Sequence, residues 1–305
     1  MPDRIPVRVP ATSANLGCLF DCGALALGLY LDVQVTPRAD REVSVKYRGE
    51  TPERIATDPT NLIARTITET LHSWDIRQGF HLDIDNQIPV GVGLGSSAAA
   101  IVAALSACHW LADRTLFDEE LIALANRLEG HPDNVAAAWE GGFTIAMQAG
   151  ERVLVSSCPV PDSVHLVVVV PDYALPTEKA RSVLPSEYSR ADAVHNLQRA
   201  AAIAAHFFSG RADFHAEVFD DRWHQPYRAS LVPGLTEVLG FRHPDVLGVC
   251  LSGAGPSILA LVKRNAPAVG GALQRLLASH GVQSRPYALA ADNRGAKGWS
   301  ALCCD

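Results

Sequence analysis

Several things are missing from this chain of 305 residues, and each absence closes a class of function. There is no basic excess: 26 Lys and Arg stand against 33 Asp and Glu, a formal net charge of −7. That balance argues against broad nucleic-acid or membrane surfaces, while leaving room for a local basic pocket. No Cys-x-x-Cys pair and no zinc-type spacing occurs among Cys18, Cys22, Cys108, Cys158, Cys250, Cys303 and Cys304. An odd count without a pairing pattern fits reduced thiols and a cytoplasmic protein. Met1 to Pro10 lacks the basic-then-apolar order of a secretory leader. The most apolar runs, 98–111 and 166–170, fall short of the ~20 residues that span a bilayer. Repeats and low-complexity tracts are absent too. No nucleic-acid or membrane partner is expected.

What is present is a mixed α and β pattern, long enough for two domains or one large one. Alternation and β-branched content predict strands over 5–9, 29–35 and 43–47. A helix is predicted over 61–74, with Leu62, Ile63, Ile67 and Leu71 at helical spacing. Phe80, Leu82 and Ile84 alternate with His81, Asp83 and Asp85, a strand with one buried face. Helices over 98–111 and 119–127 and strands over 143–147 and 153–155 follow. The second half opens with a continuous apolar strand, 165–170, of the kind buried on both faces. Helices over 191–208 and 213–219, strands over 246–251 and 257–262, and a helix over 266–279 complete it. The change of domain is expected around 150–160, near Gly150 and Cys158-Pro159-Val160-Pro161, dividing 1–155 from 156–305.

The densest chemical signal is Pro89-Val90-Gly91-Val92-Gly93-Leu94-Gly95-Ser96-Ser97-Ala98-Ala99. Three glycines at alternate positions remove the Cβ from every second residue of one short turn, so its N–H groups can converge on a ligand. The turn runs straight into a helix start, whose unpaired donors and positive dipole end favour an anion. A P-loop NTPase would need Gly-Lys followed by Ser or Thr, which occurs nowhere in the chain. Gly93-Leu94-Gly95-Ser96-Ser97-Ala98 satisfies a dinucleotide fingerprint, but the acidic residue ~20 positions on would fall between helices, without a strand. An ordinary tight turn needs only one or two glycines. Phosphate binding is the expectation.

The loop resembles that of the GHMP kinases (galactokinase, homoserine kinase, mevalonate kinase and phosphomevalonate kinase), written P-x-x-x-G-L-G-S-S-A. Pro89, Gly93, Leu94, Gly95, Ser96, Ser97 and Ala98 match it letter for letter. Ser252-Gly253-Ala254-Gly255-Pro256-Ser257 is similar to a second glycine turn that in those kinases packs near the phosphates. The resemblance implies an α+β, two-domain GHMP kinase fold, with an N-terminal ribosomal protein S5 domain 2-like half and a C-terminal ferredoxin-like half. It implies ATP and Mg²⁺ as cofactors. The loop from Pro89 to Ala99, with Gly253 and Gly255, would hold ATP, and Asn61 is either part of the nucleotide pocket or simply a helix N-cap.

Within that superfamily, Pro10-Ala11-Thr12-Ser13-Ala14-Asn15-Leu16-Gly17 and Phe20-Asp21 are similar to the opening of the homoserine kinase family. Leu19 departs from its usual glycine, which bears on the local turn. Asn15 and Asp21 offer an amide and a carboxylate suited to a hydroxyl and an ammonium; an Asx turn with Asp21 at the surface is the plainer alternative. In the Glu129-Gly130-His131-Pro132-Asp133-Asn134 segment, the resemblance makes Glu129 and Ser97 the Mg²⁺ ligands, as suits a hard cation. His131 and Asp133 become substrate residues, although a histidine followed by proline also suits a helix end. No histidine set at zinc spacing accompanies His131. Asn134 stands where mevalonate kinase-like members have an aspartate base, and an amide accepts no proton at neutral pH. Thr177, Arg181 and Arg228 fall in segments similar to those that hold a substrate carboxylate, a task suited to guanidinium forks. The resemblance thus implies phosphorylation of L-homoserine, without a side-chain base, by a homodimer.

Overall fold

The computed structural model describes residues 4–211 and 213–301; Met1, Cys303 and Cys304 lie outside them. The first sheet is built on one long strand. β1 (Ile5–Asn15) runs antiparallel along one edge of β2 (Leu19–Arg38), with Ile5, Val7 and Val9 facing the core. The register shifts between Pro10 and Ala11, where proline has no N–H to give the ladder. After β3 (Val43–Gly49) comes α1 (Leu62–Ser73), capped by Asn61, whose Oδ1 accepts from the Ile63 N–H at 3.0 Å. β4 (Gly79–Asn86) pairs with β3 in parallel and with the far half of β2 antiparallel. α2 (Ser96–Leu111), α3 (Asp118–Glu129) and α4 (Pro132–Glu140) follow, then the hairpin of β5 (Phe143–Ala149) and β6 (Arg152–Cys158). β5 joins β2 near its start. α2 is apolar almost all round because α1, α3, α4 and the sheet cover it; its alanines allow that close approach.

The chain enters the second sheet at β7 (His165–Pro171), then forms α5 (Thr177–Ser182), α6 (Arg190–Phe208), α7 (Gln225–Arg228) and α8 (Leu235–Leu239). β8 (Val246–Leu251), β9 (Ile258–Val262), α9 (Ala266–Ser279) and β10 (Ser284–Leu289) complete an antiparallel sheet of order β10-β7-β9-β8. The unbroken apolar run of β7 has a direct cause. Leu166, Val168 and Val170 belong to the large core shared with the first half, while Val167 and Val169 pack with Leu273 and Leu277 of α9. Both faces of the sheet are covered. α10 (Gly295–Ala301) then returns to the first half and packs on β1 and α4.

Two local expectations are corrected. Residues 213–219 are not an α-helix; only a 3₁₀ turn forms, at Ala216–Phe219. Phe214 and Val218 stand four apart, as on one helix face, but Phe214 is placed by an aromatic cluster, its ring 4.8 Å from Phe207 and 5.9 Å from Phe219 between centroids. The His131-Pro132 pair does not end a helix. α3 stops at Gly130, where φ is +90°, and Pro132 opens α4 at its first position, where the missing N–H costs nothing. That break between α3 and α4 brings Glu129 to the start of α2.

Candidate active site

Five segments far apart in sequence meet at one cavity of ≈ 470 Å³: the β1–β2 turn, the glycine loop, the α3–α4 junction, the start of α5 and the 252–257 turn. The glycine loop is held there by its carbonyls. The Val90 oxygen accepts from Arg54 Nη1 at 3.3 Å, Gly91 from the Leu175 N–H at 3.0 Å, and Val92 from the Ser257 N–H at 3.2 Å. Gly93 accepts from Ser252 Oγ at 2.7 Å, and Leu94 from the Thr12 N–H at 3.1 Å. With the oxygens tied outward, the N–H groups from Gly91 to Gly95 have no partner among the described residues. Gly91, Gly93 and Gly95 have φ of +76°, +84° and +64°, a backbone that L side chains resist. The result is a nest of donors at the start of α2, suited to phosphate oxygens.

Beside it, Ser97 Oγ donates to Glu129 Oε2 at 2.7 Å. Burial raises the Glu129 carboxyl above its ordinary range, against the opposing hydrogen bond from Ser97. No group of three or more His, Cys, Asp or Glu side chains suited to a metal occurs among the described residues. One carboxylate and one hydroxyl on a phosphate nest nevertheless fit Mg²⁺, which takes its other ligands from phosphate and water. His131 Nδ1 lies 3.4 Å from Asp133 Oδ1, within ion-pair range but without a well-aligned hydrogen bond, and the Asp133 carboxylate raises its pKa. Asn134 Oδ1 accepts from the buried Thr12 hydroxyl at 2.7 Å, and its Nδ2 faces Asp133 Oδ1 at 3.3 Å. The carboxylate fixes which way the amide points, because an oxygen turned toward it would be repelled.

Across the cavity, Asp21 and Arg181 form a bidentate pair at 2.6 and 3.0 Å. Asn15 spends one N–H on the Gly253 carbonyl at 2.8 Å and one lone pair on the Asp21 N–H at 3.0 Å, so it braces the turn as well as lining the cavity. This replaces the two-residue Asx turn open at the level of sequence. Thr177 opens α5 at the cavity wall. Arg228 is only 1 % exposed, yet it reaches the same space, and burial lowers its pKa to about 10.

Buried beside it, His224 is pushed down to about 4, chiefly by desolvation; Asp221 Oδ2 lies 3.5 Å from Nε2 and the Arg228 guanidinium faces Nδ1. The unfolded chain binds this proton more readily, so stability should fall as pH drops from about 6.5 through about 4. Urea midpoints measured across that range are expected to decline less steeply in His224→Asn than in the parent. Equal slopes would remove His224 from the account.

Most residues singled out from the sequence line this cavity: Asn15, Asp21, Asn61, Val90, Gly91, Gly93, Leu94, Gly95, Ser96, Ser97, Glu129, His131, Asp133, Asn134, Thr177, Arg181, Arg228 and Gly253. Five do not. Val92, Ala98 and Ala99 put their side chains into the hydrophobic core, and Pro89 and Gly255 also lie off the wall. Asn61 caps α1 and donates from Nδ2 to the Ala56 carbonyl at 2.9 Å, so its polar atoms are already engaged. The sequence reading missed Thr12, Ser252 and Arg54, which orient the loop, and the apolar end of the cavity at Leu31, Tyr47, Ile55, Leu62 and Ile84. Tyr47 and Ile84 are register partners on β3 and β4, visible only once those strands pair.

The family model for the GHMP kinases N terminal domain matches residues 61–142, and that for the GHMP kinases C terminal domain matches 197–279. Fold and site together define a GHMP kinase of two domains. Along nearly its whole length the chain is similar to the homoserine kinase of Solibacter usitatus, at 41 % identity over 95 % of both chains. It is equally similar to that of Desulfitobacterium hafniense, at 41 % identity over 96 % of this chain and 99 % of that one. The crystal structure of homoserine kinase from Cytophaga hutchinsonii superposes with a TM-score of 0.85, at 27 % identity and 97 % coverage of both chains. L. major mevalonate kinase, solved with R-mevalonate, shares the fold at a TM-score of 0.71 and 15 % identity. The chain belongs to the homoserine kinase family. No helix among the described residues is long and apolar enough to cross a membrane.

Proposed function

We propose that this protein transfers the γ-phosphoryl group of ATP to the side-chain hydroxyl of L-homoserine, giving O-phospho-L-homoserine for threonine synthesis. The observation that carries the reading is a single cavity with a phosphate nest and the Ser97–Glu129 pair on one side, and Asp21, Arg181 and Arg228 on the other. The N–H groups of the glycine loop hold the ATP phosphates, and the apolar end at Tyr47 and Ile84 takes the base. Ser97 and Glu129 hold Mg²⁺, which when bound neutralises charge on the phosphate oxygens.

On the acceptor side, the Asp21–Arg181 pair matches a zwitterion: Asp21 takes the ammonium and Arg181, with Arg228, the carboxylate. His131, Asp133 and Thr177 complete the wall that directs the hydroxyl toward the γ-phosphate. Asn134 serves as an oriented amide, since its oxygen is held by Thr12 and it accepts no proton. The hydroxyl proton leaves late, to the transferred phosphate or to water, as a loose transition state allows. The nucleotide half then spans 1–155 and its partner half 156–305, in a cytoplasmic homodimer.

A coupled ADP-release assay tests it with homoserine, mevalonate, galactose and shikimate as acceptors. Turnover is expected with homoserine. Turnover on another alcohol without homoserine-dependent turnover would refute the assignment.

A further inference from the structure

His224 is fully buried and takes no part in the chemistry described above. Its two ring nitrogens meet opposite kinds of partner. Nε2 lies 2.8 Å from the Gly17 carbonyl oxygen, which only accepts. Nδ1 lies 3.1 Å from Nη1 of Arg228, which only donates. One species satisfies both, the neutral imidazole with its hydrogen on Nε2. A proton on Nδ1 would set two donors face to face in a site closed to water.

The consequence falls on Arg228. Its Nε donates to the Ala180 carbonyl at 3.1 Å, and Nη1 donates both to the Gly253 carbonyl at 3.0 Å and to His224. Three acceptors on three separate segments therefore fix the plane of the guanidinium. Nη2 is left as the edge with no partner among the described residues, on a side chain that lines the cavity. Phe20 supports the arrangement from one side, its ring stacked 5.3 Å from His224 and 5.5 Å below the Arg228 guanidinium. His224 also ties Arg228 to Gly17, in the turn where Asn15 and Gly17 have φ of +74° and +72°.

We infer that His224 is a positioning residue: held as the Nε2–H tautomer, it aims the Nη2 edge of Arg228 at the carboxylate of the acceptor. This rests on the proposed amino-acid acceptor and on Arg228 as its carboxylate partner. Two near-isosteric substitutions separate the two contacts of the ring. His224→Asn keeps an acceptor oxygen near the place of Nδ1 and gives up the bond to Gly17. His224→Gln keeps a donor for Gly17 and gives up the acceptor for Arg228.

The test is steady-state kinetics of the intact protein with homoserine, and with 3-aminopropan-1-ol, the same skeleton without the carboxylate, as alternative acceptor or competitive inhibitor. His224→Gln is expected to raise the KM for homoserine roughly tenfold, the scale of one lost hydrogen bond to a charged group, with kcat and the KM for ATP nearly unchanged. His224→Asn should recover most of that loss, and the KM or Ki of 3-aminopropan-1-ol should not respond to either substitution. The inference is overturned if the two variants behave alike, if both acceptors weaken together, or if kcat and ATP binding fall in step. Arg228→Gln separates the two layers. A KM for homoserine unchanged in Arg228→Gln would remove the carboxylate role of Arg228 itself; a raised one with a silent His224→Gln would remove only His224.

Discussion

Glu129→Gln is expected to lower kcat by about a hundredfold or more, and to raise the Mg²⁺ concentration needed for half-maximal rate. The substitution removes charge without removing shape. Glutamine still offers an oxygen to the Ser97 hydroxyl, now 2.7 Å from Glu129 Oε2, so the end of α3 keeps its place beside α2. What is lost is the formal negative charge beside the phosphate nest. Burial already raises the Glu129 carboxyl, which means that the folded protein pays for keeping it ionised. Above the ordinary glutamate range that charge opposes folding, so the neutral variant should melt no lower than the parent. Loss of turnover together with loss of stability would contradict this account, as would parental kcat at ordinary Mg²⁺. Mg²⁺ titration by calorimetry in the presence of a nonhydrolysable ATP analogue supplies a reading independent of turnover.

Gly93→Ala should be the most damaging single methyl group in the loop. At φ of +84°, a Cβ there would overlap the Ser252 carbonyl oxygen and come within 2.9 Å of the Gly255 oxygen. Both obstacles are backbone, so neither can rotate away. The loop must lift off the 252–257 turn, breaking the 2.7 Å bond from Ser252 Oγ to the Gly93 carbonyl and freeing an oxygen to face the phosphates. Left-handed strain and overpacking together give a loss of about 2–4 kcal/mol in unfolding free energy, with a large rise in the KM for ATP. Gly150→Ala is the control. It has φ of +65° and nothing within 4 Å of the added atom, so it should cost about 1 kcal/mol and leave ATP binding intact. Urea denaturation and ATP titration of the two variants decide the matter. Similar losses in both would mean that the turn does not clamp the loop.

Much of this molecule is legible in its sequence because the relevant forces act between near neighbours. The alternation of Phe80, Leu82 and Ile84 predicts β4 correctly, and the helical spacing of Ile63, Ile67 and Leu71 predicts α1. The continuous apolar run at 165–170 announces a sheet covered on both faces, which the two cores on either side of β7 explain. The failures have the opposite cause. Residues 213–219 look helical because Phe214 and Val218 stand four apart, but Phe214 is placed by its contacts with Phe207 and Phe219. The return of α10 onto β1 and α4 has no local signal, since its partners lie in the other half of the chain.

The same division runs through the site. By itself the sequence determined which groups are present: glycines that tolerate positive φ on a loop running into a helix start, which residue type and short spacing make an anion site. The parts expected of Ser97, Glu129, Asn134, Arg181 and Arg228 rest on segments similar to those of the GHMP kinases. Only the tertiary structure decided how each group is aimed. It turns the loop's N–H groups inward by binding its carbonyls to Thr12, Leu175, Ser252 and Ser257. It pairs Asp21 with Arg181 across 160 residues of chain, and it orients Arg228 between Ala180, His224 and Gly253. Direction in a hydrogen bond belongs to the pair, and these pairs exist only after the two halves have folded onto each other.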